Sequence, residues 1–123
     1  RLTVLIATTG LNSLHIDCIV GVYAFERERT QPIIINIELD YDFAAAAASD
    51  AIGDAVDYDL IARGVTELLH ERKFVLLEAM AEETAALLFE QHALAQTVRL
   101  EIRKPEAVPA AECSFVRLER NRV

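Results

Sequence analysis

The sequence predicts a single α+β domain in which an antiparallel four-stranded sheet carries two helices on one face. Period-two hydrophobicity marks both ends of the chain, helical periodicity marks the middle, and the order is therefore strand–strand–helix–helix–strand–strand. Helices segregated from antiparallel strands in this way are typical of the α+β class. The 123 residues have the length of one domain, which we take to span residues 1–123, with residues 1–10 as an N-terminal extension or an extra strand.

The first two strands are indicated by alternating apolar and polar residues. In residues 14–20 the even positions are apolar, and in residues 33–41 the odd positions are. A period of two with one polar face is typical of an antiparallel strand with one buried side. Residues 21–31 between them are rich in charge and long enough for a wide hairpin loop.

Two helices are predicted after a short alanine-rich helical connector at residues 44–48. The first begins near Asp57 or Asp59, either of which can cap it, and its apolar residues follow at positions 61, 65, 68 and 69. The second runs from about Leu77 to Gln91, where alanine and leucine, both strong helix formers, predominate.

The last two strands are predicted at residues 98–104 and 111–118. The first of them alternates apolar and charged residues until Pro105, which cannot donate to a ladder and ends the strand. In the second, the apolar parity changes between Phe115 and Val116, which predicts a β-bulge.

Charge and composition exclude several kinds of partner. Lys and Arg number 12 and Asp and Glu number 20, so the formal net charge is −8. We therefore expect neither nucleic acid nor an anionic membrane as a partner, because no basic surface is available to either. The two cysteines, Cys18 and Cys113, form no CxxC and no zinc-binding spacing, which predicts a reducing, cytoplasmic compartment, with one disulfide as the alternative. The three histidines are far apart and lie in no metal-binding motif.

Four polar or aromatic residues have positions that allow chemistry as well as a structural role. Lys104 shares the parity of an apolar strand face, where it is either a solvent-reaching rim residue or a partly desolvated amine for proton transfer. Glu78 lies in the first turn of a helix. Its carboxylate either stabilises the helix N-terminus or accepts two hydrogen bonds from a heterocycle. Glu26 lies in a charged loop, where solvation is the simple explanation for a glutamate. Tyr58 lies near a helix start, where half-buried packing is the simple explanation for a tyrosine.

Four segments, in order along the chain, resemble the motifs of the dihydroneopterin aldolase family. They are Ile-Val-Gly-Val-Tyr at residues 19–23 with Glu26 and Gln31 after it, and residues 49–58, 74–82 and 103–105. Each is weak alone, but four in order between residues 11 and 120, on the expected strands and helices, are specific. One departure is Glu106, which stands where a glycine is common in the family.

The resemblance implies the tunnelling fold, a ββααββ unit that assembles into rings of four or eight subunits with active sites between neighbours. It also implies cleavage of 7,8-dihydroneopterin into 6-hydroxymethyl-7,8-dihydropterin and glycolaldehyde in folate biosynthesis, with epimerisation as a side activity. The family uses no metal, no cofactor and no lysine Schiff base. We therefore expect a small pterin and further copies of this chain as the partners.

Three catalytic residues are implied by the same resemblance. Lys104 matches the general acid/base lysine of the family, and Tyr58 matches the tyrosine that assists in protonating the intermediate. Glu26 matches the loop glutamate that orders water or hydroxyls near the reacting side chain.

The resemblance also implies how the pterin binds. Glu78 matches the carboxylate that binds the 2-amino group and N3–H, Leu77 contributes backbone contacts, and Val56 lines the pocket together with Glu26 and Tyr58. Two alternatives stay open: an enzyme on the same scaffold, such as a dihydroneopterin triphosphate 2′-epimerase, or a non-catalytic pterin-binding ring subunit. The Lys104-Pro105 pair and the absence of a basic loop for a triphosphate favour the aldolase.

Overall fold

The predicted α+β architecture is confirmed by a computed structural model, which describes residues 3–123. Four antiparallel strands form one sheet, and their order in the sheet is their order in the chain. The strands are β1 (Ile6–Cys18), β2 (Gln31–Asp42), β3 (Thr97–Lys104) and β4 (Ser114–Asn121).

The helices lie between the two strand pairs, as the sequence predicts. They are α1 (Ala44–Ser49), α2 (Tyr58–Arg72) and α3 (Leu77–Gln91). Asp57 caps α2, since its Oδ1 accepts a hydrogen bond from the Asp59 backbone N–H at 2.9 Å. Four residues join α2 to α3, and the two helices pack side by side as an antiparallel pair. None of the helices within residues 3–123 has the length and apolar character needed to cross a membrane.

One face of the sheet and the facing sides of α2 and α3 form the core. The odd positions of β2 are buried, with Ile33, Ile35 and Leu39 at 0% exposure. Helix α2 packs against β1, and α3 packs against β3 and β4. Removal of apolar surface from water is the main favourable contribution to folding. The buried layer therefore fixes both helices against the sheet, and with them the positions of their ends.

The other face of the sheet is polar and carries cross-strand ion pairs. Arg99 Nε lies 2.8 Å from Glu38 Oε1, and Arg99 Nη2 lies 2.5 Å from Asp40 Oδ1. The hydrogen bond from Arg99 holds the pKa of Asp40 below its ordinary value. The alternation read from the sequence therefore corresponds to one apolar and one charged face.

The structure corrects two of the strand predictions. Strand β1 begins at Ile6 rather than Leu14, and part of the expected N-terminal extension pairs with β2; Arg1 and Leu2 lie outside the described residues. The register of β1 against β2 shifts between Leu11 and Leu14, where β1 carries one extra residue.

The predicted bulge in β4 is wrong, because the β3–β4 register runs without interruption from Thr97–Asn121 to Lys104–Ser114. The parity break arises because Phe115 lies on the charged face, where it is 51% exposed and the Arg117 guanidinium carbon is 4.5 Å from its ring centroid. A cation over an aromatic face is favourable without burial in the core. An aromatic residue in a strand is therefore not a sufficient marker of the buried face.

His92, which follows α3, should make stability depend on pH. It is 8% exposed, and burial lowers the pKa of the imidazole, although Asp57 nearby opposes the shift. The imidazole of His92 therefore binds a proton more readily in the unfolded chain than in the folded chain. The free energy of unfolding should be constant above the unfolded pKa of about 6.5 and should fall as the pH decreases below it.

Urea denaturation between pH 5.5 and 8 measures this dependence. His92→Gln should flatten the curve over this range. A wild-type curve that is already flat would contradict the expectation.

Candidate functional site

The loop between β1 and β2 is built around a buried carboxylate. Glu26 lies in a single 3₁₀ turn (Ala24–Arg27) and is 7% exposed. Its Oε1 accepts a hydrogen bond from the Tyr23 backbone N–H at 3.2 Å. Gly21 adopts φ +131°, and a Cβ at this position would collide with the Glu26 carboxylate. The glycine thus provides both the backbone conformation and the space that the carboxylate needs.

The second oxygen of Glu26 is held by an amide and an ammonium group. Gln31 Nε2 donates to Glu26 Oε2 at 3.0 Å and to the Val20 carbonyl at 2.8 Å. Lys104 Nζ lies 2.7 Å from the same Oε2. A carboxylate so far removed from solvent is stable as an anion only when charged and polar donors satisfy it, and this site supplies both.

These donors set the charge state of Glu26. Burial by itself would raise the pKa of Glu26, but the hydrogen bonds from Lys104, Gln31 and the Tyr23 N–H outweigh it and lower the pKa to about 2. Glu26 is therefore ionised at neutral pH and acts as a hydrogen-bond acceptor there.

Lys104 is the last residue of β3 and continues the parity of its apolar face. Its side chain is 12% exposed and contacts Glu26, so it is not the solvent-reaching rim residue that was the simpler of the two interpretations. The ladder fixes its backbone opposite Ser114, and Pro105 follows at the end of the strand. The amine is thus positioned by the sheet and the carboxylate by the loop.

A cavity of about 140 Å³ lies beside this ion pair. Glu26 and Gln31 form part of its wall, and Glu106 and Ala107 from the β3–β4 loop form another part. Glu106, the departure from the family pattern, thus adds a carboxylate to the cavity wall. A polar cavity of this size can hold water next to the pair.

Two further predicted residues lie at the same end of the molecule. Leu77 and Glu78 begin α3; Leu77 is half-buried and Glu78 is exposed. The connection before α3 is hydrogen-bonded to the loop that holds Glu26, because the Gly21 N–H donates to the Phe74 carbonyl at 3.1 Å. The structure therefore brings the Glu26–Lys104 pair and the start of α3 together.

Val56 and Tyr58 lie at the opposite end of the helical pair. They precede and begin α2, whose 15 residues extend about 22 Å at 1.5 Å per residue. Val56 lines a cavity of about 360 Å³ together with His92, which places the start of α2 beside the end of α3. Tyr58 is 57% exposed. Within one chain the six predicted residues thus form two separate groups.

Some residues with a part in the site were not assigned one from the sequence. Gln31 was noted in the first motif without a role, and Arg27, which hydrogen-bonds to three backbone carbonyls, was seen only as one charge in a charged loop. The motif marked Gln31 but not its contact with the Glu26 carboxylate, and the role of Arg27 depends on contacts with distant backbone that no local pattern marks. Within residues 3–123, no group of three or more His, Cys, Asp or Glu side chains is arranged to hold a metal ion.

The fold and the buried carboxylate–ammonium pair characterise a small α+β domain with a charged, largely desolvated site at the end of its sheet. Comparison with known proteins specifies the family: the family model for FolB, dihydroneopterin aldolase, matches residues 9–119. The chain belongs to the dihydroneopterin aldolase family, whose members are lyases. The resemblance inferred from the four motifs is confirmed.

Individual relatives agree with this assignment. The dihydroneopterin aldolase of Escherichia coli K12 is 34% identical over 110 residues, which cover 89% of each chain. A crystal structure of the E. coli enzyme with neopterin superposes with a TM-score of 0.89 at 32% identity, covering 94% of this chain and 99% of that one. A FolB structure from Vibrio cholerae gives a TM-score of 0.90 at 33% identity, covering 94% and 98%.

The role of Gly21 can be tested by substitution with alanine. Because a Cβ would collide with the Glu26 carboxylate and the backbone has a positive φ, Gly21→Ala should lower the free energy of unfolding by about 1–3 kcal/mol. Gly53→Ala is the matched control, since a Cβ there meets no atom within 4 Å. Equal changes for the two variants in urea denaturation would contradict the steric argument.

Proposed function

We propose that this chain cleaves 7,8-dihydroneopterin into 6-hydroxymethyl-7,8-dihydropterin and glycolaldehyde, with Lys104 as the proton-transfer group and Glu26 as the carboxylate that positions it. The observation that carries the proposal is the contact of 2.7 Å between Lys104 Nζ and Glu26 Oε2, with 12% and 7% of the side chains exposed. Membership of the dihydroneopterin aldolase family supports the choice of reaction.

The reaction requires little more than positioning and proton transfer. The neutral amine of Lys104 takes the proton of the 2′-hydroxyl through a water molecule, the C1′–C2′ bond breaks, and its electron pair moves into the C6=N5 imine to give an enamine. Glycolaldehyde leaves, and C1′ of the enamine then takes up the proton that Lys104 returns through water, which restores the neutral amine. Because the substrate supplies the electron sink, the protein has to hold the groups in place and move protons.

Lys104 and Glu26 fit these proton transfers. We assign to Lys104 the exchange of protons with the substrate through a water molecule, for which the cavity lined by its partner Glu26 has space. Glu26 stays ionised and keeps the Lys104 amino group in position, while Gln31 and the Tyr23 N–H fix the carboxylate. Tyr58 would supply the hydroxyl that assists in protonating the enamine.

The start of α3 fits recognition of the pterin ring. The exposed Glu78 carboxylate can accept the 2-amino N–H and N3–H with its two oxygens, an arrangement that also orients the ring. Leu77 would add backbone contacts, and Val56 and Tyr58 would line the pocket. The E. coli relative has been solved with neopterin, a compound of the same pterin class.

The separation of the two residue groups supports an assembly of several copies. One pterin ring cannot contact both Glu78 and Tyr58 of the same chain when the length of α2 lies between them. We therefore propose a ring of four or eight copies, in which Val56 and Tyr58 of one copy complete the site of a neighbour. Exposed apolar side chains before and within the first turn of α2, Ile52 and Leu60, suit such a contact. The free thiols Cys18 and Cys113 support a cytoplasmic location.

A chromatographic turnover assay with 7,8-dihydroneopterin and EDTA tests the proposed function. Release of 6-hydroxymethyl-7,8-dihydropterin is the expected result. Formation of dihydromonapterin alone would indicate an epimerase, as would turnover of only the triphosphate. Tight pterin binding without turnover of either compound would indicate a binding subunit.

Replacement of Lys104 should separate catalysis from binding. Lys104→Met should lower kcat by about 10²–10⁴-fold, because the proton-transfer group is lost, while the Kd of the product changes less than about threefold. Steady-state kinetics and equilibrium binding measure the two quantities. An equal loss of both would contradict the role of Lys104.

Replacement of Glu78 should act on affinity. Glu78→Gln leaves one acceptor oxygen and places an NH₂ group against the N–H pair of the ring, so the Kd of the product should rise at least about tenfold. Glu90→Gln, an exposed position near the other end of α3, is the matched control. Unchanged product affinity in Glu78→Gln would contradict the binding role.

A further inference from the structure

Arg27 connects two segments that are distant in the sequence. Its Nη1 donates to the carbonyls of Gly21 at 3.1 Å and Phe74 at 3.0 Å, and its Nη2 donates to the Lys73 carbonyl at 2.6 Å. The planar guanidinium group presents several donors in a fixed geometry, so it can hold several carbonyls at once.

Both of the connected segments have unusual backbone. Lys73 ends α2 in the left-handed conformation, with φ 47° and ψ 58°, and Gly21 has φ +131°. The last carbonyls of a helix lack partners within the helix, and in this chain Arg27 supplies one for Lys73. The bridge of Arg27 to these carbonyls therefore replaces regular hydrogen bonding at the junction.

Each segment carries one half of the proposed site. Arg27 directly follows Glu26 in the same 3₁₀ turn, and Phe74 precedes Leu77 by three residues. Phe74 is itself fixed, since it is 4% exposed and the Arg72 guanidinium carbon lies 5.2 Å from its ring centroid. A shift between Arg27 and Phe74 would thus change the distance from Glu26 and Lys104 to the start of α3.

We infer that Arg27 is a positioning residue that sets the distance between the Glu26–Lys104 pair and the pterin-binding start of α3. The inference rests on the proposed function. Arg27 need not touch the substrate, because it acts by holding the Gly21 and Lys73–Phe74 backbones together. A misplacement of about 1 Å can cost about 10²-fold in rate, so such a bridge has a measurable effect on catalysis.

The inference predicts different effects on two kinds of ligand. A pterin without a side chain needs the ring-binding half and is insensitive to the distance from that half to Lys104. The substrate 7,8-dihydroneopterin has to be held by its ring while its side chain reaches the ion pair. Loss of the bridge should therefore affect turnover and spare ring binding.

Arg27→Met in the full chain tests the inference, with Arg63→Met as the matched control. Arg63 is an exposed arginine whose ion pair is with Asp59, one helical turn away. For Arg27→Met we expect kcat with 7,8-dihydroneopterin to fall about 10²-fold, while the Kd of unsubstituted pterin changes less than about threefold. Arg63→Met should change neither quantity.

Two outcomes would overturn the inference. One is an unchanged kcat in Arg27→Met, and the other is a loss of pterin binding in proportion to kcat, which would indicate a general structural role. If Arg27→Met does not fold, Arg27→Lys takes its place, because lysine keeps a charged donor without the planar geometry. Where both variants fold, Arg27→Lys should give a kcat between those of the wild type and Arg27→Met. Where only Arg27→Lys folds, its kcat should be at least tenfold below that of the wild type, with pterin binding retained. A wild-type kcat in Arg27→Lys would contradict the inference.

The wild-type assay separates this inference from the proposed function. If the wild type releases no 6-hydroxymethyl-7,8-dihydropterin, the proposed function fails. If it does, the ratio of kcat between wild type and variant decides the role of Arg27 alone.

Discussion

The Glu26–Lys104 ion pair is the interaction on which the arrangement of the site depends. A carboxylate that is 7% exposed requires charged or polar partners, and Lys104 reaches it from the end of β3. The loop conformation at Gly21, the amide of Gln31 and the end of β3 at Pro105 all satisfy this one requirement. The loop is thus specified by charge, whereas the sheet is specified by apolar burial.

The regular elements could be predicted because their causes are local. The alternation in β2 and the N-cap at Asp57 depend on neighbouring residues, and the structure has both as expected. The start of β1 was missed because none of residues 6–10 is buried and their sequence lacks apolar alternation. The bulge in β4 was predicted wrongly because Phe115 was taken to mark the buried face. Its ring lies on the exposed face, where the Arg117 guanidinium group packs against it.

The candidate site was predictable in its residue types and only in part in its geometry. Lys104 could be placed on the apolar face by counting, but its partner Glu26 is distant in sequence and reaches it through a loop without periodicity. The distance between Tyr58 and Glu78 follows from the antiparallel helix pair, which no single motif encodes. The contacts of Arg27 are with backbone carbonyls, and these carry no sequence signal at all.

The strand order has a consequence for how the chain folds. β1 with β2 and β3 with β4 are hairpins that can form locally, whereas β2 can pair with β3 only after residues 43–96 have been synthesised. Closing so long a loop costs entropy before any contact repays it, and such non-local pairing is slow. During synthesis β2 therefore has an unpaired edge. Glu26 belongs to the first hairpin and Lys104 to the second, so their ion pair forms only when this late step is complete.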